Sequence, residues 1–61
     1  MGESFYEYKK FGGVEYKLQQ ETNSDRIVEQ TVRKLRESRH HIRVIHRDGS
    51  GYKYGIYGKK V

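Results

Sequence analysis

The residues best suited to chemistry in this sequence are its cations, which are concentrated in the second half of the chain. Residues 1–22 carry three lysines against four glutamates, whereas residues 23–61 carry ten lysines and arginines against four acids. The stretch 33–47 is densest, with six basic residues, one acid and three histidines. Cations neutralise the phosphates of a nucleic acid and release the counterions bound to it. This asymmetry therefore indicates a nucleic-acid-binding surface on one side of the fold. An acidic protein surface would be attracted in the same way.

The three histidines allow two sharper hypotheses. A metal site needs three or four converging ligands, but His40 and His41 are adjacent and would point to opposite faces of a strand. The other hypothesis is a small ribonuclease toxin, with His46 as general base in a setting formed by Arg47, Tyr52 and Lys53. We expect His46 on the helix-facing side of a strand, where a hydrogen-bonded core histidine is the commoner arrangement. Neither hypothesis is therefore preferred.

Size and composition favour a binding protein over a metabolic enzyme. The chain has 61 residues, of which 33% are hydrophobic, and it lacks cysteine. A core of this size supplies only about 3–5 kcal/mol of net stability. Substrate pockets usually enclose several hundred cubic ångströms, which is difficult in so small a domain. We expect no cofactor and no metal, and we expect dimerisation or partner binding to add stability. Without an apolar run that fits a signal peptide or membrane span, the expected location is the cytoplasm.

The chain reads as four β-type runs around one helical run, which predicts a small α+β domain of ββαββ topology. The expected sheet is mainly antiparallel, with the helix packed on one face. Its predicted elements, within a single domain, are a hairpin over 4–20, a helix over 24–39, a hairpin over 42–57 and a flexible basic tail over 58–61.

The helix prediction depends on an N-cap and an apolar stripe. Thr22, Asn23 and Ser24 are favourable N-cap residues, and Asp25 suits the first turn. Apolar side chains then recur at helical spacing, at Ile27, Val28, Thr31, Val32 and Leu35.

Charge pairing decides the predicted register of the first hairpin. A two-residue Gly12-Gly13 turn would mix charge into the apolar face by pairing Lys9 with Tyr16. A three-residue loop over 11–13 instead sets oppositely charged side chains across from each other, Glu7 with Lys17 and Lys9 with Glu15. We therefore predict the three-residue loop. In the second hairpin, matched apolar faces set Ile42 opposite Ile56, Val44 opposite Tyr54 and His46 opposite Tyr52.

The period of two along a strand assigns each side chain to one face of the sheet. The helix-facing set is then Tyr6, Tyr8, Val14, Tyr16, Leu18, Ile42, Val44, Tyr54 and Ile56. The opposite face carries Phe5, Glu7, Lys9, Glu15, Lys17, Arg43, Ile45, Arg47, Lys53 and Tyr57. Glutamates cancel the cations of the first hairpin on that face, whereas the face of the second hairpin combines cations with Tyr57 and carries no predicted glutamate. An exposed ring can stack on a base, which makes this face the predicted binding site.

The second half of the chain also carries a family resemblance. Its helix is followed by Val44-Ile45-His46, Arg47-Asp48-Gly49 and Tyr57-Gly58. This pattern resembles a family of small uncharacterised bacterial ββαββ proteins that end in a V-I-H-x-R-D-G hairpin followed by Tyr-Gly. The present sequence lacks the residue between the His and the Arg. The resemblance implies the fold, and it implies no chemistry because the family has no assigned function.

Three functional hypotheses follow from these patterns. The first is a nucleic-acid-binding module, for DNA or RNA, with binding residues Arg33, Arg36, Arg39, Arg43, Arg47, Lys53, Tyr57, Lys59 and Lys60. The second is a protein-interaction module, such as a phage-type inhibitor or a dimeric adaptor, that uses an exposed strand edge to extend another sheet. The third is the ribonuclease toxin based on His46.

Overall fold

The computed structural model describes residues 5–49 and 51–61, which form one four-stranded sheet and one helix. The elements are β1 (Tyr8–Phe11), β2 (Val14–Thr22), α1 (Asp25–Glu37), β3 (His40–His46) and β4 (Tyr54–Lys60). The strand order is β1-β2-β4-β3, and every neighbouring pair is antiparallel. This architecture confirms the predicted α+β class and ββαββ order. Within the described residues, no helix is long and apolar enough to cross a membrane.

The helix begins where its capping residues predict and ends two residues early. Ser24 is the N-cap, and its hydroxyl accepts a hydrogen bond from the Ile27 amide at 3.5 Å. At the other end, the Ser38 amide donates to the Lys34 carbonyl at 3.1 Å. Arg39 follows with φ 56°, the left-handed conformation that commonly ends helices. The chain leaves α1 there and enters β3 at once, so the predicted helical end at residue 39 is wrong.

The predicted three-residue loop in the first hairpin is also wrong. Gly12 and Gly13 form a two-residue turn with φ 58° and 82°, the pair of positive angles that a type I′ turn requires. Phe11 consequently joins β1 opposite Val14, and Lys9 lies opposite Tyr16. The charge pairs that favoured the longer loop are worth at most about 1 kcal/mol each. Packing the Phe11 ring against the sheet outweighs them.

The second hairpin has its predicted faces but a register shifted by two residues. Val44 pairs with Ile56, His46 with Tyr54 and Ile42 with Gly58. Because side chains alternate with a period of two, such a shift keeps each of them on its expected face. It also lengthens β4 to Lys60, so the prediction of a flexible tail over 58–61 is wrong for residues 58–60. The Val61 amide donates to the Arg39 carbonyl at 3.0 Å, so Val61 is hydrogen-bonded to the segment that joins α1 to β3.

The helix covers one face of the sheet, which we call the helix side. A side chain at Gly58 would lie 3.5 Å from Leu35 Cδ1 of α1, so Gly58 faces the helix. Ile56, two residues away on the same face, is 0% exposed. The predicted stripe of α1 is half-buried or buried throughout, as Ile27, Val28, Thr31, Val32 and Leu35.

A bulge in β2 changes which face its side chains occupy. Leu18 pairs with Tyr57 but Gln20 pairs with Ile56, so the extra residue is Gln19. Before the bulge, the odd-numbered residues of β2 share the face of Gly58; after it, Gln20 and Thr22 do. The alternation of residues 14–18 therefore does not extend past Gln19.

Candidate nucleic-acid interface

The sheet face opposite α1, which we call the distal face, carries both phenylalanines and two of the six tyrosines. Tyr57 and Lys59 flank Gly58 in β4 and therefore point away from the helix. Tyr57 pairs with Leu18 on one side and with Arg43 on the other. The first hairpin adds its distal residues Lys9, Phe11, Val14 and Tyr16. Placing Val14, Tyr16 and Leu18 on the helix side was wrong, because the two-residue turn pairs Tyr8 with Lys17, so that Lys17 and not Tyr16 shares the face of Tyr8.

The rings of the distal face form a packed aromatic layer. Tyr57 is 0% exposed and Tyr16 is 8% exposed. The Phe11 ring lies edge-to-face on both, with ring centroids 5.2 Å from Tyr16 and 5.6 Å from Tyr57. The Tyr57 hydroxyl donates to the Tyr6 carbonyl at 2.6 Å. Phe5 covers Gly55, where an added Cβ would lie 2.6 Å from the ring. The N-terminal segment thus closes one end of the layer.

Cations stand around this aromatic layer. Lys9 Nζ and the Arg43 guanidinium carbon lie 6.0 and 5.9 Å from the centroid of the Phe11 ring. The Arg47 guanidinium carbon lies 4.1 Å from the centroid of Phe5, close enough for direct cation–π contact. Among residues 5–49 and 51–61, no carboxylate lies within 4.0 Å of the charged groups of Lys9, Arg43 or Lys59.

The acids predicted to neutralise this face lie elsewhere. Glu15 and Lys17 both belong to the helix side, since Lys17 pairs with Gly58 and Glu15 is two residues from it. Both were predicted on the distal face, and that placement was wrong. Glu21 does share the face of Gly55, where its carboxylate accepts a hydrogen bond from the Phe5 amide at 3.3 Å. Lys9 therefore keeps its predicted place but loses its predicted partner.

The structure divides the predicted binding residues between two sides of the molecule. Arg43, Arg47, Tyr57 and Lys59 lie on the distal face. Four predicted residues are exposed on or beside the helix side, namely Arg33 and Arg36 of α1, Arg39 after it, and Lys60 opposite His40. Lys53 precedes β4, and its amide donates to the Asn23 side-chain oxygen at 2.7 Å. The nine residues do not form one continuous footprint.

Tyr57 cannot be the exposed stacking residue that the sequence predicted. Its ring is fully buried and its hydroxyl is hydrogen-bonded. Burial raises the pKa of Tyr57, the charge of Glu21 raises it further and Arg47 opposes both. The accessible ring is Phe11, which is only half-buried. Sequence reasoning missed Phe11 by assigning it to a loop. The two glycines that follow it were the signal, because a type I′ turn puts Phe11 on the strand.

His46 is not the core histidine that was predicted. Its side chain is 54% exposed, and its Nε2 lies 3.9 Å from an Asp48 carboxylate oxygen. Its ring lies 5.0 Å from Tyr54, not against Tyr52. The Tyr54 hydroxyl in turn donates to Asp25, and that hydrogen bond raises the pKa of Tyr54. Since His46 shares the face of Tyr54 and Arg47 lies over Phe5, these two neighbours face opposite sides of the sheet.

A shallow groove lies on the helix side, beside α1. Its volume is about 270 Å³, and it is lined by Tyr8, Glu15, Lys17, Gln19, His40, Gly58, Lys59 and Lys60. Lys59, which alternation along β4 assigns to the distal face, also lines this groove and therefore lies at the border of the two surfaces, whereas Glu15 partly offsets the charge of Lys17 and Lys60. Within the described residues, no group of three or more potential metal ligands is present.

Fold and surface together define a small basic ββαββ domain whose sheet face opposite α1 combines aromatic rings with cations. No protein-family model, curated protein or solved structure matches the chain.

Proposed function

We propose that this protein binds nucleic acid through the distal face. The observation that supports this proposal is the grouping of Lys9, Arg43 and Lys59 on one sheet face, without a described carboxylate within 4.0 Å of their charged groups. Cations that no carboxylate neutralises keep their charge for phosphates. A face of this kind, with aromatic rings among the cations, suits a nucleic-acid backbone better than it suits an idle surface.

The proposed contacts differ from those expected at first. Arg43 and Lys59 would bind phosphates directly, together with Lys9. Arg47 has a second role, because its guanidinium lies on the Phe5 ring and supports the aromatic layer. The remaining cations, Arg33, Arg36, Arg39, Lys53 and Lys60, would contribute to the long-range attraction that a net charge of +5 produces.

The test compares two double variants that remove the same amount of charge. Arg43→Gln with Lys59→Gln neutralises the distal face, whereas Arg33→Gln with Arg36→Gln neutralises the outer side of α1. Fluorescence anisotropy with labelled DNA and RNA oligonucleotides, from low to high salt, gives affinity and salt slope. We expect the distal variant to lower the slope of log Kobs against log salt by roughly 1.4–1.8, about 0.7–0.9 per lost phosphate contact.

The helix variant is the control. Its slope should stay close to that of the unchanged protein, with a small loss of affinity from the weaker long-range field. Equal losses in both variants would show that charge alone, not the distal face, drives the binding. Absence of binding to every oligonucleotide beyond a low-salt background would overturn the proposal.

A protein-interaction module is the second candidate, and the strand order favours it at one place. Among the described residues, β3 pairs only with β4, so its seven residues form a sheet edge. Such an edge can accept a strand from a partner or from a second copy of the chain. If oligonucleotide binding fails, light scattering of the purified protein would show whether it forms a homodimer.

A further inference from the structure

The two phenylalanines of the distal face differ in how their rings are covered. Phe5 has the Arg47 guanidinium carbon 4.1 Å from its ring centroid, which is contact distance. Over Phe11 two cations lie farther away, with the Arg43 guanidinium carbon at 5.9 Å and Lys9 Nζ at 6.0 Å from the ring centroid. Its packed neighbours are Tyr16 and Tyr57, which support it from within the aromatic layer. Phe11 is therefore a half-exposed ring that its aromatic neighbours hold in place and whose two cations lie at the outer limit of a cation–π contact.

A ring in this state can take a nucleobase. Stacked carbon atoms are separated by about 3.5–4.0 Å, so a base on Phe11 would displace the two long, flexible cationic side chains from above the ring. Lys9 and Arg43 would then be near the phosphates on either side of that base. Val14, paired with Phe11 and 40% exposed, adds apolar surface beside the ring.

The same geometry does not suit a duplex. Bases in a double helix are already stacked on their neighbours, and extruding one costs a few kcal/mol. Entering a groove is also difficult for this sheet. Its four strands, about 4.8 Å apart, span roughly 14 Å before side chains are counted, whereas the major groove is about 12 Å wide. The distal face fits a strand whose bases are unpaired.

We infer that the ligand is single-stranded nucleic acid and that Phe11 stacks on one of its bases. This inference rests on the proposed function and names the substrate class of the same site. It makes Phe11 a binding residue that contributes affinity without contributing salt dependence, because the ring carries no charge.

The first experiment measures single-stranded and duplex oligonucleotides of the same sequence with Phe11→Ala. We expect a loss of about 5- to 150-fold in single-strand affinity, which corresponds to the ~1–3 kcal/mol of one base–aromatic stack. The salt slope should not change. Tyr8→Ala is the matched control, since Tyr8 is an exposed ring that lines the helix-side groove. It should leave single-strand affinity unchanged.

A second variant keeps the test valid if Phe11→Ala weakens the fold. The chain contains no tryptophan, so Phe11→Trp introduces a single indole reporter at the proposed contact. Stacking of a base should quench its fluorescence on addition of a single strand but not of a duplex. The Phe11→Trp variant should also retain the affinity that Phe11→Ala loses.

The outcomes separate the two proposals. Salt-dependent binding that is equal or tighter for duplex, with no effect of Phe11→Ala and no quenching, would overturn single-strand stacking while leaving nucleic-acid binding in place. No salt-dependent binding to any oligonucleotide would overturn the proposed function itself, and this inference with it.

Discussion

The two faces of the sheet are protected from water in different ways. On the helix side, α1 lies across the strands and encloses aliphatic side chains such as Ile56 and Leu35. The described part of the distal face has no helix or second sheet over it. There, Tyr57 and Tyr16 are buried by their neighbours in the same sheet and by the N-terminal segment.

This difference explains how so short a chain can be folded and still leave one sheet face for the proposed binding. A covering layer would bury the cations of the distal face and cost them their hydration. Aromatic rings avoid that cost because they shield each other at the level of the sheet, and the cations remain in water above them. The helix side should therefore dominate stability, whereas the distal face should contribute less to stability and most of the binding.

The largest expected effect tests that division with one truncation on each face. Ile56→Ala removes a fully buried side chain beneath α1 and should cost about 2–5 kcal/mol. Since a domain of this size has only about 3–5 kcal/mol available, much of the variant should be unfolded. Urea denaturation followed by circular dichroism measures the change.

Leu18→Ala is the counterpart on the distal face, where the side chain is half-buried. Its cost should stay below about 2 kcal/mol, because less surface returns to water. If Leu18→Ala destabilises the protein as much as Ile56→Ala, the distal face is a core of equal weight and the proposed division is wrong.

Two glycines of β4 sharpen the comparison because they face opposite sides. In Gly55→Ala the new Cβ would lie 2.6 Å from the Phe5 ring, so the ring must move and leave its contact with Arg47. We expect a loss of about 1–3 kcal/mol in unfolding free energy. In Gly58→Ala the nearest atom is Gln19 Cγ at 3.2 Å, the stem of a flexible side chain.

Gly58→Ala should therefore be close to neutral, since a small steric cost is offset by the roughly 0.5–1 kcal/mol gained when glycine leaves a strand. Chemical denaturation of both variants gives the difference. A Gly55→Ala protein as stable as the unchanged one would show that Phe5 does not hold the distal face closed.

The sequence predicted the elements and the facing of the second hairpin. Ser24 and the apolar stripe located α1, and the alternation around Arg43 and Ile45 assigned their face correctly despite a register error of two. A register shift of an even number of residues leaves each side chain on the same face of the sheet. The cations of β3 were therefore assigned to the correct face.

The predicted facing of the first hairpin was wrong because its register was in error by one residue, an odd number. Gly12 and Gly13 permit loops of two or three residues, and cross-strand charges discriminate between them by less than ring packing does. The bulge at Gln19 also changes the face on which the later residues of β2 lie, and no local pattern marks it. Burial of Tyr57 depends on a hydrogen bond to Tyr6, 51 residues away in sequence, which local spacing cannot predict.

The smallest expected effect compares the two tyrosines whose pKa is raised, one on each face. A phenol with a raised pKa in the folded state stabilises the protein below its ordinary value of 10.0, and this contribution is lost as the pH rises through the folded value. Stability should therefore fall above about pH 10. Tyr57→Phe costs about 0.5–1.5 kcal/mol at neutral pH, the value of its hydrogen bond to Tyr6.

Above pH 10, the Tyr57→Phe protein should lose less further stability than the unchanged protein, because position 57 no longer ionises. Tyr54→Phe should change the alkaline loss less, since solvent screens its hydrogen bond to Asp25. Urea midpoints from neutral to alkaline pH measure all three proteins. An alkaline loss that Tyr57→Phe leaves unchanged would mean that water reaches the phenol. The aromatic layer of the distal face would then be an open surface, not a closed support beneath Phe11.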